Sequence, residues 1–235
     1  MTTATDLVTR LTVLNKQNRS TNYSIVTLEK PANFAYDAGQ CINVGLLDMP
    51  ENEARVFSIT SSPTEEVITL LVKHGFSEYK KRLLNLAPGD ELVVSKPMGG
   101  FELGYRSPVV MVAGGMGIAP FRSIIKYLVD VKHKQKLMLI HLYPTKQSPF
   151  VRELNELQRR HKLLQFSALT DTKKRLHLHD FLLQEQVKVG PVNPIYYLSG
   201  PTEMIAHCQQ TLEELGVDPK LIRIESNILT ALSRR

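Results

Sequence analysis

Apolar and polar positions change rhythm once along this chain. Up to about residue 104 the apolar residues come in short, partly alternating runs broken by turn residues. Residues 8–14 and 23–29 read as strands by their β-branched content, with a polar turn from Asn15 to Asn22 between them. Further strands are predicted at 40–47, 55–60, 67–73 and 91–95, with turns carrying Pro50, Ser61-Ser62-Pro63 and Pro88-Gly89-Asp90. One helix interrupts them over about 77–86, with Ser77 placed to cap it. Short strands at turn-punctuated intervals predict a small antiparallel β-barrel.

From residue 109 the pattern is near-continuous apolar runs alternating with amphipathic segments. Strands are predicted at 109–113, 137–143, 164–169, 195–199 and 221–225, and helices at about 120–131, 149–162 and 202–215. Phe121, Ile124, Ile125 and Leu128 recur at i, i+3, i+4 and i+7, the spacing of one helix face. Apolar strands alternating with amphipathic helices predict a doubly wound α/β domain, its parallel sheet covered on both faces. Gly104 to Pro108 reads as a linker, giving domains at 1–104 and 105–235.

Composition narrows the chemistry. The 235 residues include two cysteines, Cys41 and Cys208, too few to hold an iron–sulfur cluster. No metal site is expected, because His177 and His179 have no third ligand type nearby. No apolar run is long enough to span a membrane. The first residues lack a basic-then-apolar leader pattern, so a cytoplasmic location is expected. The net charge of +6 is dispersed, without the aromatic–basic interleaving of a nucleic-acid surface. It suits a phosphate-rich cofactor or an acidic protein partner.

Val109 to Pro120 joins a buried strand, a glycine turn and a helix start, a combination whose unpaired N–H groups attract an anion. It is also how a plain tight corner is made. No Gly-Lys-Ser/Thr follows, so it is not a nucleoside-triphosphate loop. Ser199-Gly-Pro-Thr-Glu-Met204 closes another parallel strand, and two such loops can hold two ends of one extended ligand. In the barrel half, Arg55-Val-Phe-Ser58 offers a phosphate fork, an aromatic for a flat ring and a hydroxyl, alternating between strand faces. Lys73-His-Gly75-Phe76-Ser77 opens the barrel's helix and suits a second phosphate. A plain strand with one exposed arginine and an ordinary capped helix are the bland readings of these two stretches.

Taken in order, these landmarks resemble the ferredoxin–NADP reductase superfamily over nearly the whole chain. Gly39-Gln40 is similar to its Pro-Gly-Gln entry to a barrel strand, with Ala38 in place of proline. Arg55-Val-Phe-Ser58 resembles Arg-x-Tyr-Ser/Thr, and Gly75-Phe-Ser77 resembles the flavin-phosphate turn. Gly89-Asp90 and Pro97-Met-Gly-Gly-Phe101 resemble two further barrel segments. Gly114 to Pro120 resembles the pyridine-nucleotide loop, and Tyr197 to Met204 the Cys-Gly-Pro-x-x-Met segment.

The resemblance implies FAD in the barrel and NADH or NADPH in the α/β domain. Arg55 would contact the FAD pyrophosphate, Phe57 would pack on the flavin, and Ser58 would lie near flavin N5. Gly75, Phe76 and Ser77 would bind the FAD phosphates, with Val56, Val72 and Lys73 among the same contacts. Gly115, Met116 and Gly117 would take the dinucleotide pyrophosphate, and Thr170 and Asp171 its far ribose. Ser199, Gly200 and Pro201 would border the nicotinamide, with Glu203 and Met204 further along that loop. Ser58, Ser199 and Glu225 are the implied catalytic residues. Hydride transfer needs neither nucleophile nor strong base, which fits the absence of a triad.

Departures from the pattern are specific. Phe57 replaces tyrosine, Ser199 replaces cysteine, and Met116 stands where threonine is frequent. Asn227 occupies the aromatic position of a Glu-x-aromatic pattern, which implies a more open flavin face. Asp171 stands where NADP-type members carry Ser-Arg and tips the expectation towards NADH, while Lys173, Lys174 and Arg175 pull towards NADPH. The leading expectation is a reductase passing electrons to a separate redox protein, such as an acidic ferredoxin or flavodoxin. The alternatives are a diaphorase-like reductase of free flavin, quinone or ferric chelate, an electron-transfer subunit of a larger assembly, and a nucleotide-sensing module without turnover.

Overall fold

The computed structural model describes residues 7–101, 107–143, 148–169 and 194–225. The chain divides into two units, Met1–Gly100 with Arg122–Tyr127, and Phe101–Phe121 with Leu128–Arg235. The linker expected at 104–108 lies outside the described residues as far as residue 106.

In the first unit the strands are β1 (Leu7–Asn18), β2 (Tyr23–Glu29), β3 (Cys41–Leu46), β4 (Arg55–Ser58), β5 (Val67–Lys73) and β6 (Glu91–Ser95), with α1 (Glu78–Asn85) before β6. They pair antiparallel in the order β4-β3-β6-β1-β2-β5. A bridge between Ile59 and Leu70 brings the two ends of that order together, closing the expected barrel. The interior follows the period of two: Leu11 and Val13, Val26 and Leu28, Ile42 and Val44, Ile68 and Leu70, Leu92 and Val94 are all buried. Helix α1 adds Tyr79 and Leu83, four residues apart, to this core. Ser77 caps it as expected, its side chain accepting from the Lys80 amide at 3.4 Å. Within this unit Ser123 Oγ donates to the Ser61 carbonyl at 2.6 Å, and Arg122 bonds the Thr60 carbonyl and Glu65.

One expectation fails at the first hairpin. The first half of the predicted turn from Asn15 to Asn22 is strand, since Asn15, Lys16, Gln17 and Asn18 pair with Thr27, Val26, Ile25 and Ser24. The segment reads as polar because Asn15, Gln17 and Asn18 stay exposed to water, and only 19–22 turn. A register shift between Val13 and Asn15 leaves Leu14 exposed.

The second unit holds β7 (Val109–Gly114), the ends of α2 (Ile118–Asp130), β8 (Leu137–Leu142), α3 (Val151–Arg160), β9 (Leu164–Leu169), β10 (Ile195–Ser199), α4 (Thr202–Glu214) and β11 (Ile222–Ile224). All pairings are parallel, in the order β11-β10-β7-β8-β9. Every residue of β7 and β8 is buried, which explains their unbroken apolar runs. Helix α2 begins two residues earlier than predicted. Gly115, Met116 and Gly117 form a single 3-10 turn that runs into it, so Pro120 sits inside the first helical turn. Helix α3 also starts later than Pro149, behind Phe150 at φ 62°. No described helix is long and apolar enough to cross a membrane.

Candidate functional site

The order of the parallel sheet locates the first candidate site. The chain leaves β7 for β8 on one side, and later places β10 on the other side of β7. Connections from neighbouring strands diverge there, opening a crevice at the strand carboxyl ends. The β7 end carries the glycine turn and the β10 end carries Ser199, which pairs in register with Ala113. The structure therefore brings together Gly115, Met116 and Gly117 with Ser199, Gly200, Pro201 and Met204.

Glycine is needed for that approach. A Cβ on Gly117 would run into the Ser199 carbonyl and stand 2.6 Å from the Gly200 nitrogen. Gly115 serves a different need: it holds φ +55°, with open space around it. Met204, in the first turn of α4, packs over Gly114. Ser199 Oγ donates to Glu225 Oε2 at 2.6 Å, and both residues are buried. The Glu225 amide bonds the Leu198 carbonyl at 3.3 Å, holding this carboxylate beside the β10 end.

Sequence reasoning missed His141. It is fully buried on β8, with Nε2 2.8 Å from the Gly115 carbonyl and Nδ1 2.7 Å from Ser148 Oγ. Burial pushes its pKa down to about 4, against a smaller upward pull from the Gly115 bond. Its one signal was a single polar residue inside Leu-Met-Leu-Ile-His-Leu.

The second candidate site lies in the barrel unit, around β4 and the start of α1. Strand β4 does not alternate as predicted: Arg55 and Val56 are both exposed, and Phe57 and Ser58 are both half-buried. The strand stands at one end of the pairing order, bonded along its length to β3 alone. Tyr79 explains how its side chains are set. The Arg55 guanidinium lies 5.7 Å from the Tyr79 ring centroid, and the Phe57 ring stacks on it at 6.3 Å and 23°. Tyr79 is anchored by donating its hydroxyl to the Val44 carbonyl at 2.7 Å, and burial raises its pKa despite the Arg55 charge.

Around the helix start, Phe76 is 96 % exposed, and Ser77 and Lys73 are exposed. The Lys80 side chain folds over Gly75, with Nζ 3.2 Å from where a Cβ would stand. That adds a cation to the turn that the sequence alone did not single out. Val72 is fully buried in the barrel core, so it offers a ligand only its backbone. Thr170, Asp171, Lys173, Lys174, Arg175, His177, His179 and Asn227 lie outside the described residues.

These donor sets suit the groups implied by the sequence. An exposed arginine, a lysine folded over a helix start, the half-exposed Phe57 and the exposed Phe76 fit a flavin carrying a pyrophosphate. A glycine cradle too narrow for a Cβ, at the switch point of a parallel sheet, fits a dinucleotide.

Comparison with known proteins agrees. Residues 111–210 match the family model described as an oxidoreductase NAD-binding domain. Flavohemoprotein A of Dictyostelium discoideum is 24% identical over 241 residues, covering 92% of this chain and 60% of that protein. The flavohemoprotein of Bacillus subtilis is 24% identical over 204 residues, covering 81% of this chain and 51% of that protein. The chain thus spans about half to three-fifths of the length of these curated relatives. Among solved structures, a ferredoxin NADP+ reductase from Neisseria gonorrhoeae with bound FAD and NADP superposes with a TM-score of 0.79 at 18% identity. That match covers 92% of this chain and 97% of the other. The barrel and the parallel sheet are thus the fold of that reductase, and residues 111–210 match an oxidoreductase NAD-binding domain.

Proposed function

We propose that this chain is an NAD(P)H-dependent flavoprotein reductase that passes electrons to a separate redox protein. The observation that carries the reading is the glycine cradle at the β7/β10 switch point, rimmed by the buried Ser199–Glu225 pair. FAD, held by Arg55, Phe57, Ser77 and Lys80, would supply the two-electron to one-electron chemistry.

The residues of the chain bind and orient. Arg55, steadied on Tyr79, offers two parallel N–H donors to a pyrophosphate. Phe57 presents a ring held by the same tyrosine. The α1 start, with Ser77 and Lys80, presents backbone donors and a cation to phosphate oxygens. In the second unit the Gly115–Gly117 turn gives backbone N–H groups to the dinucleotide, and Ser199 and Pro201 border its nicotinamide end. The Ser199 hydroxyl, already donating to Glu225, holds its oxygen in one orientation there. Such positioning lowers the entropic cost of bringing donor and acceptor atoms into contact. The positive net charge supports an acidic ferredoxin or flavodoxin as acceptor.

The test is to load the protein with FAD and reduce it anaerobically with NADH and with NADPH in a stopped-flow instrument. An acceptor panel of ferredoxin, flavodoxin, free flavin, quinone and ferric chelate follows. Flavin bleaching within the mixing experiment and fastest turnover with a protein acceptor support the proposal. A chain that takes up no FAD overturns it. Turnover with small acceptors alone replaces it with the diaphorase reading.

A further inference from the structure

The proposed reaction gives His141 nothing to do, yet its surroundings are built around it. It is the polar member of an otherwise apolar strand, and no part of it reaches solvent. Both ring nitrogens are engaged, one by the Gly115 carbonyl at 2.8 Å and the other by Ser148 Oγ at 2.7 Å. A carbonyl oxygen only accepts, so the network assigns the proton to Nε2, which donates to Gly115. In the neutral ring Nδ1 is then an acceptor and receives a hydrogen bond from the Ser148 hydroxyl. Ser148 is itself buried. Together they fix one tautomer of one side chain on one carbonyl of the glycine turn.

That carbonyl shares its peptide unit with the Met116 N–H. In a trans peptide the C=O and N–H point in opposite directions, and the described chain contains no cis bond. Holding the Gly115 oxygen towards β8 therefore aims the Met116 N–H away from it. Gly115 has no Cβ and lies at φ +55°, where rotating the adjoining peptide plane meets little steric resistance. The imidazole donor selects between the two orientations of that plane.

We propose that His141 is a positioning residue that locks the Gly115–Met116 peptide plane with its N–H aimed at the dinucleotide pyrophosphate, and that Ser148 holds the tautomer able to do so. The proposal rests on the reading of this turn as the dinucleotide site, and extends it to two residues outside the glycine motif.

The test uses the full chain loaded with FAD, titrated with NADH, NADPH and ADP-ribose. His141→Leu removes the donor and should weaken binding of all three by about tenfold or more, the loss of one hydrogen bond to a charged group. The loss should fall in Kd and KM rather than in the limiting rate of flavin reduction. His141→Gln, whose side-chain amide can donate to the same carbonyl, should recover most of the affinity. Ser148→Ala should cost a few-fold, since the tautomer is then unheld. In the unmodified protein, the Met116 amide resonance should shift downfield on adding ADP-ribose, a readout that needs no variant to fold. Unchanged affinity in His141→Leu, equal losses in His141→Leu and His141→Gln, or a Met116 amide indifferent to ADP-ribose would each overturn the proposal. An unmodified chain that binds none of the three ligands would instead overturn the dinucleotide reading beneath it.

Discussion

Gly117→Ala puts a methyl group where the ends of β7 and β10 meet. The new carbon would stand 2.6 Å from the Gly200 nitrogen and closer still to the Ser199 carbonyl. These are backbone atoms at the end of a buried strand, so no side-chain rotation can relieve the overlap. Overpacking of this kind costs about 1–3 kcal/mol. If the strain is relieved by parting the two loops, it appears as roughly five- to 150-fold weaker dinucleotide binding. If it stays in the folded state, it appears as the same energy lost from stability. Urea unfolding and titration of the FAD-loaded protein with both dinucleotides measure the two shares. Gly115→Ala is the control: its new carbon meets nothing, and only its φ of +55° is penalised, by about 1–2 kcal/mol. FAD content should stay unchanged in both variants, because the implied FAD contacts lie in the barrel unit. A Gly117→Ala protein with unaltered Kd and urea midpoint would refute the close approach. Loss of FAD with intact dinucleotide affinity would refute the assignment of the two ligands to the two units.

Three further outcomes are expected. His141 titrates near 4 when folded, against 6.5 for the free group, so the unfolded chain takes up its proton first as pH falls. Its contribution is therefore complete above pH 6.5 and lost progressively down to about pH 4, totalling about 3 kcal/mol. Urea midpoints from pH 7.5 to 4 should show this slope in the unmodified protein and less of it in His141→Gln, and identical slopes would refute it. Tyr79→Phe, which loses only the bond to the Val44 carbonyl, should cost about 1–2 kcal/mol and keep FAD affinity. Tyr79→Leu also removes the ring under Phe57 and Arg55 and should lower FAD occupancy, so equal occupancy in the two variants would exclude the platform role. Ser199→Ala removes a 2.6 Å bond to a carboxylate and should cost about 1.5–3 kcal/mol of stability, read by thermal unfolding. It should also slow flavin reduction at saturating dinucleotide, and an unaltered limiting rate would remove Ser199 from the catalytic residues.

Where the sequence was informative, one physical period was uncontested. Barrel strands such as β2 and β5 were legible because they pair one buried face with one wetter face, as Ile68 and Leu70 between Val67 and Thr69 show on β5. The parallel strands were legible because burial on both faces leaves no room for polar residues. Asn15 to Asn18 misled because a strand end with Asn15, Gln17 and Asn18 exposed has the composition of a turn. The helix start misled by two residues because a 3-10 turn passes smoothly into α2. At the sites, glycines and the Arg55 motif could be read locally. The contacts that orient them could not, since they join residues far apart in the chain. Ser199 finds Glu225 only because β10 and β11 run in parallel register. Arg55 and Phe57 find Tyr79 only because α1 packs against the barrel core.

The pairing of β7 with β10 also has a consequence in time. Val109 lies opposite Ile195, and the glycine cradle needs both strand ends. On the ribosome, β7 to β9 can emerge and pair in order while one wall of the cradle is still unsynthesised. Contacts of such sequence separation form late, because a long loop must close before they contribute. Competence to hold a dinucleotide is therefore expected to be among the last properties this domain acquires as it matures, well after its first three parallel strands have collapsed.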